Sequence, residues 1–374
     1  MLAILILTIK VIVAFSLLIM FHELGHFLVA KRSGVWVEEF GLGLPPRIFG
    51  KKIGDTIYSI NWLPIGGFVR LHGETASDQV VYPAKAFTNK SKLTRILITV
   101  AGIVMNFILA IICFTVIFFV NGVPSNSTKL DFIILDVASN SPASISGIKS
   151  GDLVEKINNV NINSTDDLKN EINNNKGKEI DIEVNRNNKL IDIKATPRIN
   201  YPADEGSLGI SFDDFHENYF APVWQRPFVS FWEAIKETAT VTKAVVFGLG
   251  SAAKSVSQGQ APKDVTGPVG IIAVAKRLAE EDIWTLISFV AVVSINLGIV
   301  NLIPFPPLDG SRVALVIAEA ITKKKLTAKM EERVYTFGFI VLIALSILIT
   351  THELPSVFKA GSLDNYANQV LNQK

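Results

Sequence analysis

Four stretches of the chain stay apolar for about as long as a helix needs to cross a bilayer core, roughly 20 residues. They cover residues 2–30, 96–120, 283–303 and 334–350. The first is interrupted by Lys10 and by His22, Glu23 and His26, whereas the second carries no charge. The run before His22 is too long for the apolar part of a leader peptide. It also lacks a basic start and an A-x-A-like site, so it reads as a retained span. Between the second and third stretches the pattern changes. Residues 132–137, 153–157, 180–184 and 190–195 are short β-type runs bounded by turn residues, which predict strands. Residues 164–174 predict one helix, with Ser164 and Thr165 as candidate caps. Residues 230–257 are moderately apolar but carry Glu233, Lys236, Glu237, Lys243 and Lys254. They predict an amphipathic helix lying on the membrane surface.

Composition narrows the class. The chain has 374 residues, of which 49% are hydrophobic and 19% charged, with a mean hydropathy of +0.37. That excludes disorder and is too apolar for an ordinary soluble protein. A net charge of +2 argues against nucleic acid as the main partner. The single cysteine, Cys113, excludes an internal disulfide and a cysteine-rich metal site. Lys and Arg outnumber Asp and Glu ten to five between residues 31 and 95. The loop between the third and fourth spans carries Arg312, Lys323, Lys324, Lys325, Lys329 and Arg333. By the positive-inside bias both loops are expected in the cytoplasm, with residues 121–282 and the C-terminal tail outside. Lys10 then lies at the outer end of its span and can snorkel.

The first span contains His22-Glu23-Leu24-Gly25-His26, an H-E-x-x-H pattern. Positions i and i+4 share one helix face, so both imidazoles reach one ion while the intervening Glu meets its water. Ionisable groups inside an apolar span are costly and point to function. Zinc is the expected metal, and a catalytic zinc takes a third protein ligand. One candidate is Asp309, in Asn301-Leu302-Ile303-Pro304-Phe305-Pro306-Pro307-Leu308-Asp309-Gly310, where prolines stop the third span. The other is His72, on the same side of the membrane. The proline-rich frame around Asp309 favours it, since irregular backbone at that depth is tolerated only around a cavity.

These residues resemble the bacterial site-2 proteases, in particular the regulator-of-sigma-E protease group of zinc intramembrane metalloproteases. That family pairs H-E-x-x-H in its first span with N-x-x-P-x-P-x-L-D-G at the end of the third, here His22–His26 and Asn301–Gly310. Further likeness lies in Phe40-Gly41-Leu42-Gly43, in Pro64-Ile65-Gly66-Gly67-Phe68-Val69 and in Thr266-Gly267-Pro268-Val269-Gly270-Ile271. The stretch Ala101-Gly102-Ile103-Val104-Met105-Asn106-Phe107 departs in having Ile103 where the family has proline. Ser141–Asp152 resembles the carboxylate loop of a PDZ domain, and the chain has room for one such domain where some relatives have two.

The resemblance implies a polytopic α-helical membrane protein: four transmembrane helices, a membrane-associated β-loop and one extracytoplasmic PDZ-like α+β domain. It divides the chain into membrane segments at 1–120, a PDZ-like domain at 121–200, a linker with amphipathic helices at 201–282, and membrane segments at 283–374. It implies zinc on His22, His26 and Asp309, with Glu23 as general base. Asn301 is implied to hold the site or the substrate, and the β-loop residues Ile57, Tyr58, Gly66 and Gly67 to bind an unwound substrate strand. Asn296 reads as interhelical glue, and His216 and His352 as surface histidines. The implied partners are single-span membrane proteins and the lipid bilayer, with peptide or substrate contact at the PDZ-like domain, in a bacterial inner membrane. Two other readings carry different tests: an inactive PDZ scaffold, which has no need of Glu23, and a zinc metalloprotease cutting at the membrane surface.

Overall fold

The structure is a computed structural model. It describes residues 2–75, 78–124, 131–162, 165–186, 189–201, 206–215, 218–258, 266–323 and 327–372. Ser164, His216 and the side chain of His352 fall outside what is described. Two compact units emerge, Met1–Val120 with Pro222–Lys374, and Asn121–Ala221.

The first unit opens with helix α1 (Leu2–Arg32), strands β1 (Val37–Ile53) and β2 (Thr56–Leu71), and helix α2 (Lys92–Asn121). α1 ends with Lys31 and Arg32 in its last turn and Gly34 in the left-handed region at φ 67°. Cations there complement the helix dipole, and glycine adopts that conformation without strain.

The second unit contains β3 (Val123–Pro124), β4 (Asp131–Val137), α3 (Pro142–Ser146), β5 (Leu153–Ile157) and β6 (Val160–Asn161). It continues with α4 (Thr165–Asn174), β7 (Ile180–Arg186), β8 (Lys189–Ala195), β9 (Ile210–Phe215) and β10 (Asn218–Tyr219). The sheet order is β8-β7-β5-β4-β9, with β6 beside β5. Alternate residues of these strands, among them Phe132, Ile134, Val154, Ile182 and Val184, meet Leu168 and Ile172 of α4 in one apolar core. The unit runs to Ala221 rather than 200, because β9 completes the sheet against β4.

The chain then returns to the first unit through α5 (Arg226–Ser257), α6 (Pro268–Glu281), α7 (Ile283–Asn301), α8 (Asp309–Thr322), α9 (Ala328–Ala360) and α10 (Leu363–Asn372). The amphipathic segment expected at 230–257 is the continuous helix α5. Four helices are long and apolar enough to cross a membrane: Leu5–Arg32, Lys92–Asn121, Ile283–Asn301 and Lys329–Ala360. The third ends at Asn301, two residues before the expected boundary, and the chain restarts as α8 at Asp309. Pro304, Pro306 and Pro307 lack the N–H groups that would continue α7.

β1 and β2 form more than a simple hairpin. Glu39–Leu42 pair with Ile57–Ile60 on one side and with Gly67–Arg70 on the other, while Lys51–Ile53 pair with Thr56–Tyr58. The two bent strands thus make four paired segments, in the order 47–53, 56–61, 39–44 and 67–71, with the two outer pairings antiparallel and the central one, 56–61 with 39–44, parallel. No further strand covers segment 67–71 among the described residues, so it is a sheet edge.

Candidate metal centre

His22 and His26 lie one turn apart on α1 and face α2. The two helices cross at glycines. A Cβ on Gly25 would lie 2.3 Å from the Ala101 carbonyl oxygen, and one on Gly102 would lie 2.4 Å from His26 Nε2. The imidazoles therefore occupy the space a side chain at 102 would need.

Asp309, the first residue of α8, completes a cluster of three potential ligands. Its Oδ2 stands 3.1 Å from His22 Nε2 and 3.2 Å from His26 Nε2. The two Nε2 atoms are 3.2 Å apart. Ligand atoms about 2.0–2.1 Å from a tetrahedral zinc stand roughly 3.3–3.4 Å from one another, so these separations fit that ion. The donor set fits it too. Asp309 Oδ2 is buried and receives no hydrogen bond, which leaves three lone pairs converging on one point.

Groups behind the ligands orient them. His26 Nδ1 donates to the Ile98 carbonyl at 2.8 Å, which leaves its Nε2 unprotonated. His22 Nδ1 lies 3.1 Å from the amide of Asn106, a fully buried residue of α2. Turned so that its oxygen faces the ring, the amide accepts the Nδ1 proton and leaves Nε2 as the ligand atom. Asn106 also accepts Ser294 Oγ on its main-chain oxygen at 2.9 Å, tying α2 to α7.

Glu23 points into a cavity of about 190 Å³ shared with His22, His26, Phe68, Val69 and Asp309. Its Oε2 accepts the Val69 N–H at 3.1 Å. The next outward-facing N–H of that sheet edge, at Leu71, goes to Glu74 at 3.3 Å. Glu74 in turn pairs with Arg312, one turn beyond Asp309 on α8. Burial works against the Arg312 charge, but Glu74 holds the guanidinium protonated. The sheet edge is thus fastened to both elements that carry the ligands.

Other sequence-read residues fall elsewhere. His72 is not part of the cluster. Its Nδ1 donates to Glu38 at 2.8 Å and its Nε2 accepts the Tyr82 N–H at 3.1 Å, so both ring nitrogens are engaged. Ile57 and Tyr58 do not reach the cavity. They belong to the inner segment 56–61, paired on both sides, and Tyr58 packs on Phe27 instead. Their backbone cannot accept an added strand, because its hydrogen-bonding groups are already taken up by the sheet. Gly66 lies against Ile19 of α1 with φ 82°, and Gly67 opens the free edge. Asn301 is buried at the end of α7. Asn296 bonds to the Val292 carbonyl of its own helix at 3.0 Å. Sequence reasoning gave Asn106, Gly102, Glu74 and Arg312 no role at the metal centre. Asn106 left a signal, as an amide inside an otherwise uncharged span; the Glu74–Arg312 pair, 238 residues apart, left none.

Comparison with known proteins places this geometry in context. Residues 10–345 match the model of a family described as peptidase family M50. A putative zinc metalloprotease of Clostridium perfringens is 34% identical over 345 residues, covering 92% of this chain and 97% of that protein. One from Clostridium acetobutylicum is 36% identical over 351 residues, covering 92% and 96%. The regulator of sigma-W protease RasP of Bacillus subtilis is 30% identical over 426 residues, covering 93% and 98%.

Proposed function

From the premise that the chain belongs to peptidase family M50 and is a zinc metalloprotease, we propose that it hydrolyses peptide bonds within the transmembrane segments of single-span membrane proteins. The observation that carries this reading is the position of the ligand cluster. His22 lies ten residues before Arg32 on α1, about 15 Å along the helix axis at 1.5 Å per residue. With Arg32 at the headgroups, the cluster sits below them, inside the hydrocarbon.

His22, His26 and Asp309 hold the zinc. Bound there, the ion supplies a Lewis acid that acidifies water and polarises the scissile carbonyl. Glu23 takes a proton from the attacking water and passes it to the leaving amine. Val69 N–H holds the Glu23 carboxylate at the cavity while it does so. A helical substrate hides its carbonyls in its own hydrogen bonds and must unwind. The edge Gly67–Leu71, covered by no further strand among the described residues, offers it a strand to pair with beside Glu23 through the groups that Glu23 and Glu74 do not take up. On this reading the substrate strand lies along Gly67 to Leu71 and not on Ile57 and Tyr58. Asn301, buried at the end of α7, is assigned to holding the site or the substrate.

The Lys/Arg bias puts the sheet and α8 on the cytoplasmic side and the second unit outside, as a PDZ-like domain that filters or contacts substrates. A relative is named for regulating sigma-W. By that likeness the substrates are anti-sigma factors or remnant signal peptides, and their cleavage releases a cytoplasmic fragment.

The test is cleavage of a tagged single-span substrate by the purified full-length protein, with zinc content measured alongside. Wild type binds one zinc and cuts within the span. Glu23→Gln keeps zinc and loses at least about 100-fold in rate. Asp309→Asn loses both zinc and cleavage. A Glu23→Gln protein that cuts like wild type would instead support the scaffold reading. Cleavage confined to loops outside the bilayer would support the surface protease.

A further inference from the structure

A second cleft lies along the first half of α1, apart from the metal cluster. It has a volume of about 230 Å³ and is walled by α1 from Lys10 to Leu17, by α7 from Ile283 to Val290, and by Cys113 of α2. Apart from Lys10, its lining residues carry no charge. Lys10 to Leu17 spans about 10 Å of helix axis, so the slot runs along the span, in the direction a lipid chain lies.

Lys10 fixes what kind of hydrocarbon chain belongs there. It lies 22 residues before Arg32, about 33 Å along α1, so the two cations mark opposite headgroup layers of a bilayer about 30 Å thick in its core. Its ammonium donates to the Ala279 carbonyl at 3.3 Å, which uses one of three donors. The nearby acids are engaged elsewhere: Glu280 with Lys276, Glu281 with Arg277, and Asp282 with Thr285. The cleft therefore combines an apolar slot with a cation at headgroup depth that keeps donors to spare.

We infer that this cleft binds one acyl chain of an anionic phospholipid, with the lipid headgroup on Lys10. The lipid sits between the helix that carries His22 and His26 and the helix that leads to Asp309. The inference requires only that α1 and α7 cross the membrane, and it stands apart from the zinc chemistry.

Cys113, the sole cysteine, reports on the slot from its wall. Full-length protein in a zwitterionic detergent is doped with phosphatidylglycerol or with phosphatidylcholine of the same chains. Alkylation of Cys113 by N-ethylmaleimide is followed by intact mass. A lysine near an anionic headgroup is worth about fivefold in affinity. Phosphatidylglycerol accordingly slows alkylation about fivefold more than phosphatidylcholine in wild type, and the two lipids act equally on Lys10→Gln. Native mass spectrometry provides a second readout: wild type retains one phosphatidylglycerol and Lys10→Gln does not. Equal protection by the two lipids in wild type, or a preference that survives Lys10→Gln, overturns the inference. If Cys113 does not react under any condition, the absence of retained phosphatidylglycerol overturns it.

Discussion

Glu353 and Asp309 both bring a carboxylate into the first unit, and their surroundings differ in kind. Glu353, buried on α9, receives the Gly267 N–H at 2.7 Å, the Val269 N–H at 3.2 Å, the Gly270 N–H at 3.3 Å and the Tyr366 hydroxyl at 3.2 Å. It caps the N-terminus of α6, where free N–H groups and the helix dipole favour a negative charge. Asp309 Oδ2 meets no donor and faces two ring nitrogens whose protons are directed elsewhere. A carboxylate surrounded by donors has nothing left to bind. One surrounded by lone pairs is stable only with a cation at the centre. The first arrangement builds structure, whereas the second is kept open for a metal.

If that contrast holds, the two sites fail differently. The largest effect is expected from Gly102→Ala. Its methyl group would enter the space of the imidazoles, 2.4 Å from His26 Nε2 and 2.9 Å from His22 Cε1. Zinc content falls well below one per chain and cleavage drops by about 100-fold or more, as displacement of about 1 Å at a reacting centre already costs that much. The Glu353 cap is untouched, so the helices around α6 keep their protection in hydrogen exchange. Full zinc and full activity in this variant would break the account of the metal centre.

Glu353→Gln reverses the pattern. The neutral side chain accepts from the α6 N-terminus more weakly and turns its own donor toward other donors. Hydrogen bonds to a charged group are worth about 1.5–3 kcal/mol each in net terms, so a loss of about 3 kcal/mol is expected. Thermal denaturation in detergent measures it. Zinc stoichiometry stays at one. A variant that lost zinc but kept its thermal midpoint would mean that the two carboxylates do not play the separate roles described.

How far the sequence reached follows the same division. The four spans were legible because an apolar helix long enough for a bilayer needs no partner to identify it. His22, Glu23, His26 and Asp309 were legible because ionisable groups and prolines are conspicuous in apolar surroundings. The cap at Glu353 was not, since the α6 N–H groups it accepts lie 83–86 residues away and the glycines that admit it look like an ordinary turn. The edge of the β1–β2 sheet was not legible either. Alternation shows that a strand exists, but which segment is flanked on both sides depends on where the strands bend. Ile57 and Tyr58 were therefore placed at an edge that belongs to Gly67–Leu71.

Asp152, in the second unit, sharpens the comparison with a third carboxylate and the smallest effect. It accepts Arg186 at 2.6 and 2.7 Å and the Lys149 N–H at 2.8 Å, so like Glu353 it is saturated. Burial pushes its carboxyl up, but Arg186 outweighs burial and holds it below its ordinary value of 3.8. A pKa lower in the folded state means that the pair stabilises the fold above pH 3.8. The contribution fades as pH falls below that value and is gone once the folded carboxyl is protonated. Arg186 is partly open to water, which limits the cost of Asp152→Asn at pH 7 to about 1–2 kcal/mol, below that of a fully buried pair. Hydrogen exchange of β5 and β7 in the full-length protein measures it, with α6 as the internal reference. The gap between wild type and variant narrows as pH drops below 3.8, because acid removes from the wild type what the substitution removes from the variant. A gap that stays constant down to low pH would mean that Asp152 contributes through packing alone, leaving Glu353 as the one of these two saturated carboxylates whose charge stabilises the fold.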